Sequence, residues 1–240
     1  MMGNRDSITF LPAASEKRGY VRRMFGAIAP RYDLMNRLMT FGLDQGWRRR
    51  VVAEAAVPPG GRVLDVATGT GDIALAFGPD VRIVASDFCE PMLAIGRRKA
   101  GQRPVAFAAG DALALPFAAG SFHAVTSGFA MRNVADIGAA FAEMHRVTRP
   151  GGHVVCLEVA RPKQALVRWG HGVYFGRVVP LLGRLVAGQP AAYEYLPASA
   201  GRFPPPPELA AIMEGAGWRQ VRYILVGLGA AAIHVGVKLT

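Results

Sequence analysis

At 240 residues, with 51% hydrophobic and 19% charged side chains, the chain can bury one large globular core, and its composition is not that of a disordered protein. Lys+Arg number 28 against 17 Asp+Glu, a net charge of +11 that raises nucleic acid or an anionic surface as partners. Two cysteines exclude a disulfide framework.

Residues 61–159 alternate strands with helices. Residues 62–68 form a short apolar run ending in Gly69-Thr70-Gly71, and residues 81–87 form a second run closed by an acid. Residues 105–111, 123–129 and 152–158 follow as the third, fourth and fifth strands. Helices fit over 90–99 and 136–148; in the second, Ile137, Ala140, Phe141 and Met144 recur at helical spacing, Asp136 caps the start and Pro150-Gly151-Gly152 stops it. Beyond residue 160 prolines and glycines loosen the pattern as far as Phe203 and the prolines 204–207. A helix over 207–215 then precedes two strand candidates, 221–226 and 231–239. The pattern predicts an α/β fold with a doubly wound, Rossmann-like sheet. The apolar run 224–237 is broken by His234 and by glycines, so no transmembrane helix is expected. No leader-like segment opens the chain, and a cytoplasmic protein is expected.

The segment from Asp65 to Asp72 carries the most information. Gly69 and Gly71 let the backbone approach a ligand at the carboxyl end of the first strand, and a helix N-terminus is expected to follow. Asp87, closing the second strand, is placed to accept from both ribose hydroxyls of an adenosine, and Asp111, closing the third, to reach the adenine edge. A glycine pair alone marks only a tight turn, and a lone strand-end acid is more often a turn or cap. Asp65, Asp87 and Asp111 at three consecutive strand ends make the joint signal. A dinucleotide would lay pyrophosphate against the loop, whereas Asp65 and Asp72 flank it and suit a cation. S-adenosylmethionine, with an adenosine, a sulfonium and no phosphate, fits better than NAD. The arrangement resembles the class I S-adenosylmethionine-dependent methyltransferases, which implies seven strands with the last antiparallel; five core candidates and two after residue 218 give that number.

Three further motifs narrow the resemblance: the stretch from Phe25 to Gly42 followed by Trp47-Arg48-Arg49, the stretch from Gly128 to Val134, and Tyr193-x-Tyr195-Leu196-Pro197. Together they are similar to the menaquinone/ubiquinone biosynthesis C-methyltransferase family, from about residue 20 to the C-terminus. The resemblance implies methylation of a polyprenyl quinol, demethylmenaquinol foremost. It implies one domain with a helical lid over 1–60, a cofactor core over 61–159, a substrate-side insertion over 160–206 and closing elements over 207–240. It carries cofactor contacts onto Thr70, Asp87, Asp111 and Ala112, and loop positions onto Asp65, Thr68, Gly69 and Gly71. Thr68 stands where the family commonly has glycine, and the Ala130-Met131 pair departs from its usual Gly-Leu.

Carbon methylation needs an electron-rich ring, and therefore a base or a stabiliser of the phenolate. Arg132, directly or through a water, is expected to stabilise it, with Asn133 orienting the ring; the structural alternative is an Arg132–Asp136 pair. Tyr32, Asp33 and Asn36 either line the quinol pocket or pack the lid, and Tyr193 and Tyr195 are further substrate contacts. His123, His145, His153 and His171 show no ligand spacing, so no metal is expected. His234 is a minor candidate base, or a core histidine on the last strand. A small-molecule methyltransferase on the same core is the alternative enzyme, and a basic nucleic-acid-binding protein the alternative class.

The charge excess lies entirely in the flanks: 10 basic against 5 acidic residues over 1–60, 9 against 9 over 61–159, and 9 against 3 over 160–240. With Leu38, Met39, Phe41, Leu181 and Leu182, these flanks are expected to rest on anionic lipid where a polyprenyl substrate resides. Oligomeric state stays open.

Overall fold

The computed structural model describes residues 14–162, 164, 165, 170, 172, 174 and 190–240. Leu181, Leu182 and His171 lie outside the described residues, as does the side chain of Tyr193.

The apolar runs form β1 (Arg62–Val66), β2 (Arg82–Asp87), β3 (Val105–Ala109), β4 (Phe122–Gly128) and β5 (Thr148–Val159), with β6 (Arg219–Val226) and β7 (Ala231–Val237) at the end of the chain. They make one sheet in the order β3-β2-β1-β4-β5-β7-β6. The first five run parallel to one another, and β7 is antiparallel to both β5 and β6. The expected seven-stranded doubly wound sheet with an antiparallel last strand is the observed one. The strand order reverses between β1 and β4, and ligands of open α/β sheets bind at the carboxyl ends of the strands beside such a reversal.

Three helices precede the sheet: α1 (Ala14–Ile28), α2 (Tyr32–Thr40) and α3 (Leu43–Ala55). Between strands run α4 (Glu90–Ala100) and α5 (Ile137–Val147); α6 (Pro190–Arg202) and α7 (Pro206–Gly215) come before β6. Strand side chains alternate between the faces. Leu64, Val66, Val125 and Val154 pack one way, against Phe141 and Met144 of α5, Met213 of α7 and Trp218. Trp218 is fully buried and its Nε1 donates to the Phe141 carbonyl at 3.1 Å. Val63, Ile83, Ala124 and Val155 pack the other way, against Val51 and Ala55 of α3. Within 1–60, α3 therefore belongs to a layer of the sheet, whereas α1 and α2 reach the carboxyl ends of the strands.

Two local expectations change. A helix was expected behind the glycine loop; a single 3-10 turn, Ala74–Ala76, stands there, because Gly78-Pro79 ends the helical run after one turn. Asp136 caps α5, accepting from Ala139 N at 2.9 Å, but the Pro150-Gly151-Gly152 stop lies inside β5. The pairing of β4 with β5 jumps there from Phe122↔Thr148 to Ala124↔His153, so the proline sits in a bulge where no ladder donor is required.

Candidate functional site

A cleft of about 830 Å³, open at its mouth, lies at the carboxyl ends of β1, β2 and β4 under α1 and α2. Gly69, Asp87, Asp111 and Ala112 line it, together with Phe88, Leu113 and Asn133. The chain turns sharply at this edge. Gly69 and Gly71 adopt positive φ, as do two non-glycine residues just past strand ends, Ala67 (φ 51) and Phe129 (φ 57). Both line the cleft. Such conformations persist only where the surroundings hold them, and they cluster at ligand sites. The Phe129 amide donates to Leu157 O at 2.7 Å and the Thr68 amide to Ser86 O at 3.0 Å, which fixes the two turns.

Each strand-end acid has a distinct setting. Asp87 is 6% exposed; its Oδ2 accepts from Gly69 N and its Oδ1 from Cys89 N, both at 2.8 Å. Burial pushes its carboxyl above the ordinary range, against the pull of those amides. Asp111 accepts from Leu113 N at 3.0 Å and pairs with Arg18 of α1 at 3.2 Å. Asp65 is fully buried and does not line the cleft. It accepts from Thr68 Oγ1 at 2.5 Å and Thr126 Oγ1 at 2.7 Å, and burial raises its carboxyl to about 6. It therefore braces the loop from below, and Thr68 turns its hydroxyl inward to Asp65.

Thr70 and Gly71 also stand back from the cleft. Thr70 Oγ1 donates to Asp33 Oδ1 of α2 at 2.5 Å, and Lys99 Nζ reaches Asp33 Oδ2 at 2.6 Å and Asp72. This cluster ties the lid to the glycine loop. At the other end of the lid, Lys17 Nζ donates to Val134 O at 2.7 Å.

A second cavity of about 360 Å³ adjoins the first, sharing Phe25, Tyr32 and Asn133. Its walls are apolar (Met24, Ile28, Met35 and Met39), yet Asn36, Arg132, Asn133 and Tyr195 also line it. Each of these four carries a buried polar atom with no partner among the described residues: Asn36 Nδ2, Arg132 Nε, Asn133 Oδ1 and Tyr195 OH. Buried polar atoms are rarely left unsatisfied, and four around one cavity make it a candidate polar site. Burial pushes the Tyr195 phenol up to about 12, so it remains protonated and able to donate.

Arg132 does not pair with Asp136. Its Nη1 meets Glu158 Oε2 at 3.2 Å, in a pair whose side chains are 5% and 0% exposed. Glu158 was not singled out from the sequence, although it stands next to last in β5, close to the strand end that Asp87 occupies in β2. His234 lies on β7, 1% exposed, with Nε2 at 3.0 Å from Pro206 O, and lines neither cavity.

Residues 13–238 match the model of the ubiE/COQ5 methyltransferase family. The chain belongs to that family. It is 59% identical over 232 residues to the demethylmenaquinone methyltransferase of Roseiflexus castenholzii, covering 95% of this chain and 97% of that one. It is 56% identical to that of Roseiflexus sp. strain RS-1, covering 97% and 99%. Among solved structures, a chain of the complex between the Haloferax volcanii Trm112 methyltransferase activator and a methyltransferase superposes with a TM-score of 0.66 at 19% identity. That likeness covers 90% of this chain and 98% of the other and establishes the fold. As a member of the ubiE/COQ5 family the chain is a methyltransferase, and the larger cleft stands where an open α/β sheet holds its cofactor.

Proposed function

We propose that the chain transfers the methyl group of S-adenosylmethionine to a ring carbon of a polyprenyl quinol, demethylmenaquinol in the first instance. The observation that carries this reading is the pair of joined cavities, one edged by strand-end acids and the other apolar with four unsatisfied polar atoms. The names of the relatives supply the quinone class.

The larger cleft suits the cofactor chemically. Asp87 offers a carboxylate to two ribose hydroxyls, Asp111 and the amide of Ala112 face the adenine end, and Gly69 lets the methionine portion lie close to backbone. Thr68, Thr70, Gly71 and Asp65 hold the loop in shape behind it. When bound, S-adenosylmethionine supplies a methyl group on a positively charged sulfur. Asn133, Phe25 and Tyr32 border both cavities, so a ring in the smaller one meets the larger cleft at these residues.

Arg132 stabilises negative charge on the ring oxygen as its proton leaves, which raises electron density at the ring carbon. That carbon then forms the new C–C bond while the methyl–sulfur bond breaks to leave S-adenosylhomocysteine; the ring proton passes to solvent, which restores aromaticity, and the ring oxygen is reprotonated. Glu158 acts through Arg132 as a positioning residue. Tyr195 and Asn36 supply the remaining polar contacts to the ring. Tyr193, two residues earlier on α6, is proposed to serve the same substrate.

Lipid access follows from α2. Tyr32, Met35, Asn36 and Met39 border the smaller cavity, while Leu34, Leu38 and Phe41 are exposed beside Arg31 and Arg37, with Leu43 close behind. Met39, expected on the outer face, instead packs within the lid cluster. No helix among the described residues is long and apolar enough to cross a membrane. A protein that docks this face on anionic lipid from the cytoplasmic side meets its substrate without spanning the bilayer.

Product analysis by mass spectrometry, after incubation with S-adenosylmethionine and reduced demethylnaphthoquinol or reduced methoxybenzoquinol, tests the substrate class. Methylated naphthoquinol is expected as the main product; methylation of the benzoquinol alone would reassign the substrate.

A further inference from the structure

The smaller cavity presents a fixed acceptor and a fixed donor. The Asn133 amide is oriented by its Nδ2, which donates to Phe129 O at 3.4 Å, so that Oδ1, an acceptor only, is the atom left unsatisfied. Arg132 is held through Nη1 by Glu158, and its unsatisfied Nε can only donate. The two residues are adjacent in sequence and line the same cavity.

A hydroxyl satisfies both atoms at once, accepting from Arg132 Nε and donating to Asn133 Oδ1. A quinone carbonyl accepts from the arginine but has nothing to donate, and it leaves the amide oxygen buried against its own lone pairs. The Tyr195 hydroxyl serves either ring, because it can donate to a carbonyl or to a hydroxyl oxygen. Discrimination between the two ring states therefore falls to Asn133.

We infer that Asn133 reads the redox state of the ring, so that the reduced quinol binds in preference to its oxidised quinone before any chemistry occurs. This inference rests on the quinol reading of the cavity and adds to it. The inability of an oxidised ring to react explains why it is no substrate; exclusion at the binding step keeps an oxidised quinone pool in the membrane from occupying the site. Sites built to pair a substrate hydroxyl reject analogues lacking it more strongly than apolar pockets reject a changed shape. One buried acceptor left unpaired corresponds to a preference of about tenfold to a hundredfold.

The test is anaerobic binding to the full chain of a short-prenyl demethylnaphthoquinol and of its oxidised naphthoquinone. S-adenosylhomocysteine is included so that no turnover occurs. The wild type is expected to bind the reduced ring about tenfold or more tightly than the oxidised one. Asn133→Leu is expected to bring the ratio close to one, mainly by weakening the quinol. Asn133→Asp keeps an acceptor at the same place and is expected to keep the preference, which makes it an independent check should the leucine variant not fold. Equal wild-type affinities, a preference that survives in Asn133→Leu, or one lost in Asn133→Asp would overturn the inference. Equal affinities together with methylation of the quinol would overturn it while leaving the proposed function standing. Binding of neither ring form would overturn both.

Discussion

At Asp65 a fully buried carboxylate holds the glycine loop through Thr68 and strand β4 through Thr126. Its carboxyl titrates near 6 in the folded chain against an ordinary value of 3.8. The folded state holds this proton more tightly than the unfolded chain, so the contribution to stability is greatest below pH 4 and is lost as pH rises through about 6. The difference amounts to about 3 kcal/mol. Melting curves from pH 4 to pH 8 should show the gap between wild type and Asp65→Asn shifting against the wild type up to about pH 6 and remaining flat above it. A gap independent of pH would contradict the assignment. Asp87→Ala should weaken S-adenosylmethionine binding by calorimetry about tenfold to a hundredfold, since each hydrogen bond to a carboxylate contributes about 1.5–3 kcal/mol. Arg132→Ala should lower turnover about a hundredfold or more with cofactor affinity retained. It should also cost about 3–5 kcal/mol of stability by leaving Glu158 buried and unpaired. Loss of cofactor affinity instead would move Arg132 out of the ring site. Asp87 and Asp111 were legible because acids at the ends of consecutive strands have a positional meaning in this fold. Glu158 obeys the same positional rule and passed unnoticed because its partner, Arg132, lies 26 residues away across the strand end. Local reasoning offered only Asp136, four residues on, as a structural partner for that arginine.

Among the elements, α2 presents two faces, one lining the smaller cavity and one exposed, and the inner face is held by the latch at Asp33. The hydrogen bond to Thr70 and the Lys99 ion pair are the polar links from this helix to the cofactor loop. Asp33→Ala should raise KM for cofactor and quinol together by about threefold to tenfold, with melting temperature nearly unchanged because Asp33 and Lys99 are part-exposed and Lys99 Nζ stays within 3.2 Å of Thr70 Oγ1. A change in KM for the quinol alone would show that the lid does not act on the loop. Strands β1 to β5 and helices α4, α5 and α7 were legible within a few residues, since each is a continuous apolar run or a helical stripe bounded by Gly, Pro or Asp. The misreadings fall where two rules compete. Gly78-Pro79 overrides helical propensity behind the loop, and pairing with β4 at Phe122↔Thr148 carries β5 back through Pro150. The place of α3 beneath the sheet was not legible either, because its buried Val51 and Ala55 face partners more than a hundred residues away in β5 and β7.

For the whole molecule, a net charge of +11 has a location as well as a size. The core balances, and exposed Arg31 and Arg37 flank an apolar edge of Leu34, Leu38 and Phe41, the last 78% exposed. Co-sedimentation should therefore favour vesicles rich in anionic lipid over neutral ones and weaken with salt. Phe41→Glu should reduce partitioning about tenfold without loss of activity on a short-prenyl substrate in solution. Equal partitioning on both vesicle types would leave the arginine content as a compositional bias. The joining of two cavities at Tyr32, Phe25 and Asn133 is the feature on which the functional account depends. Its most direct test is a single-turnover experiment with isotopically labelled methyl on S-adenosylmethionine and reduced demethylnaphthoquinol, under anaerobic conditions. The account predicts label on a ring carbon, with S-adenosylhomocysteine formed in equal amount. Label retained on bound S-adenosylmethionine while the reduced ring remains unmodified would contradict it.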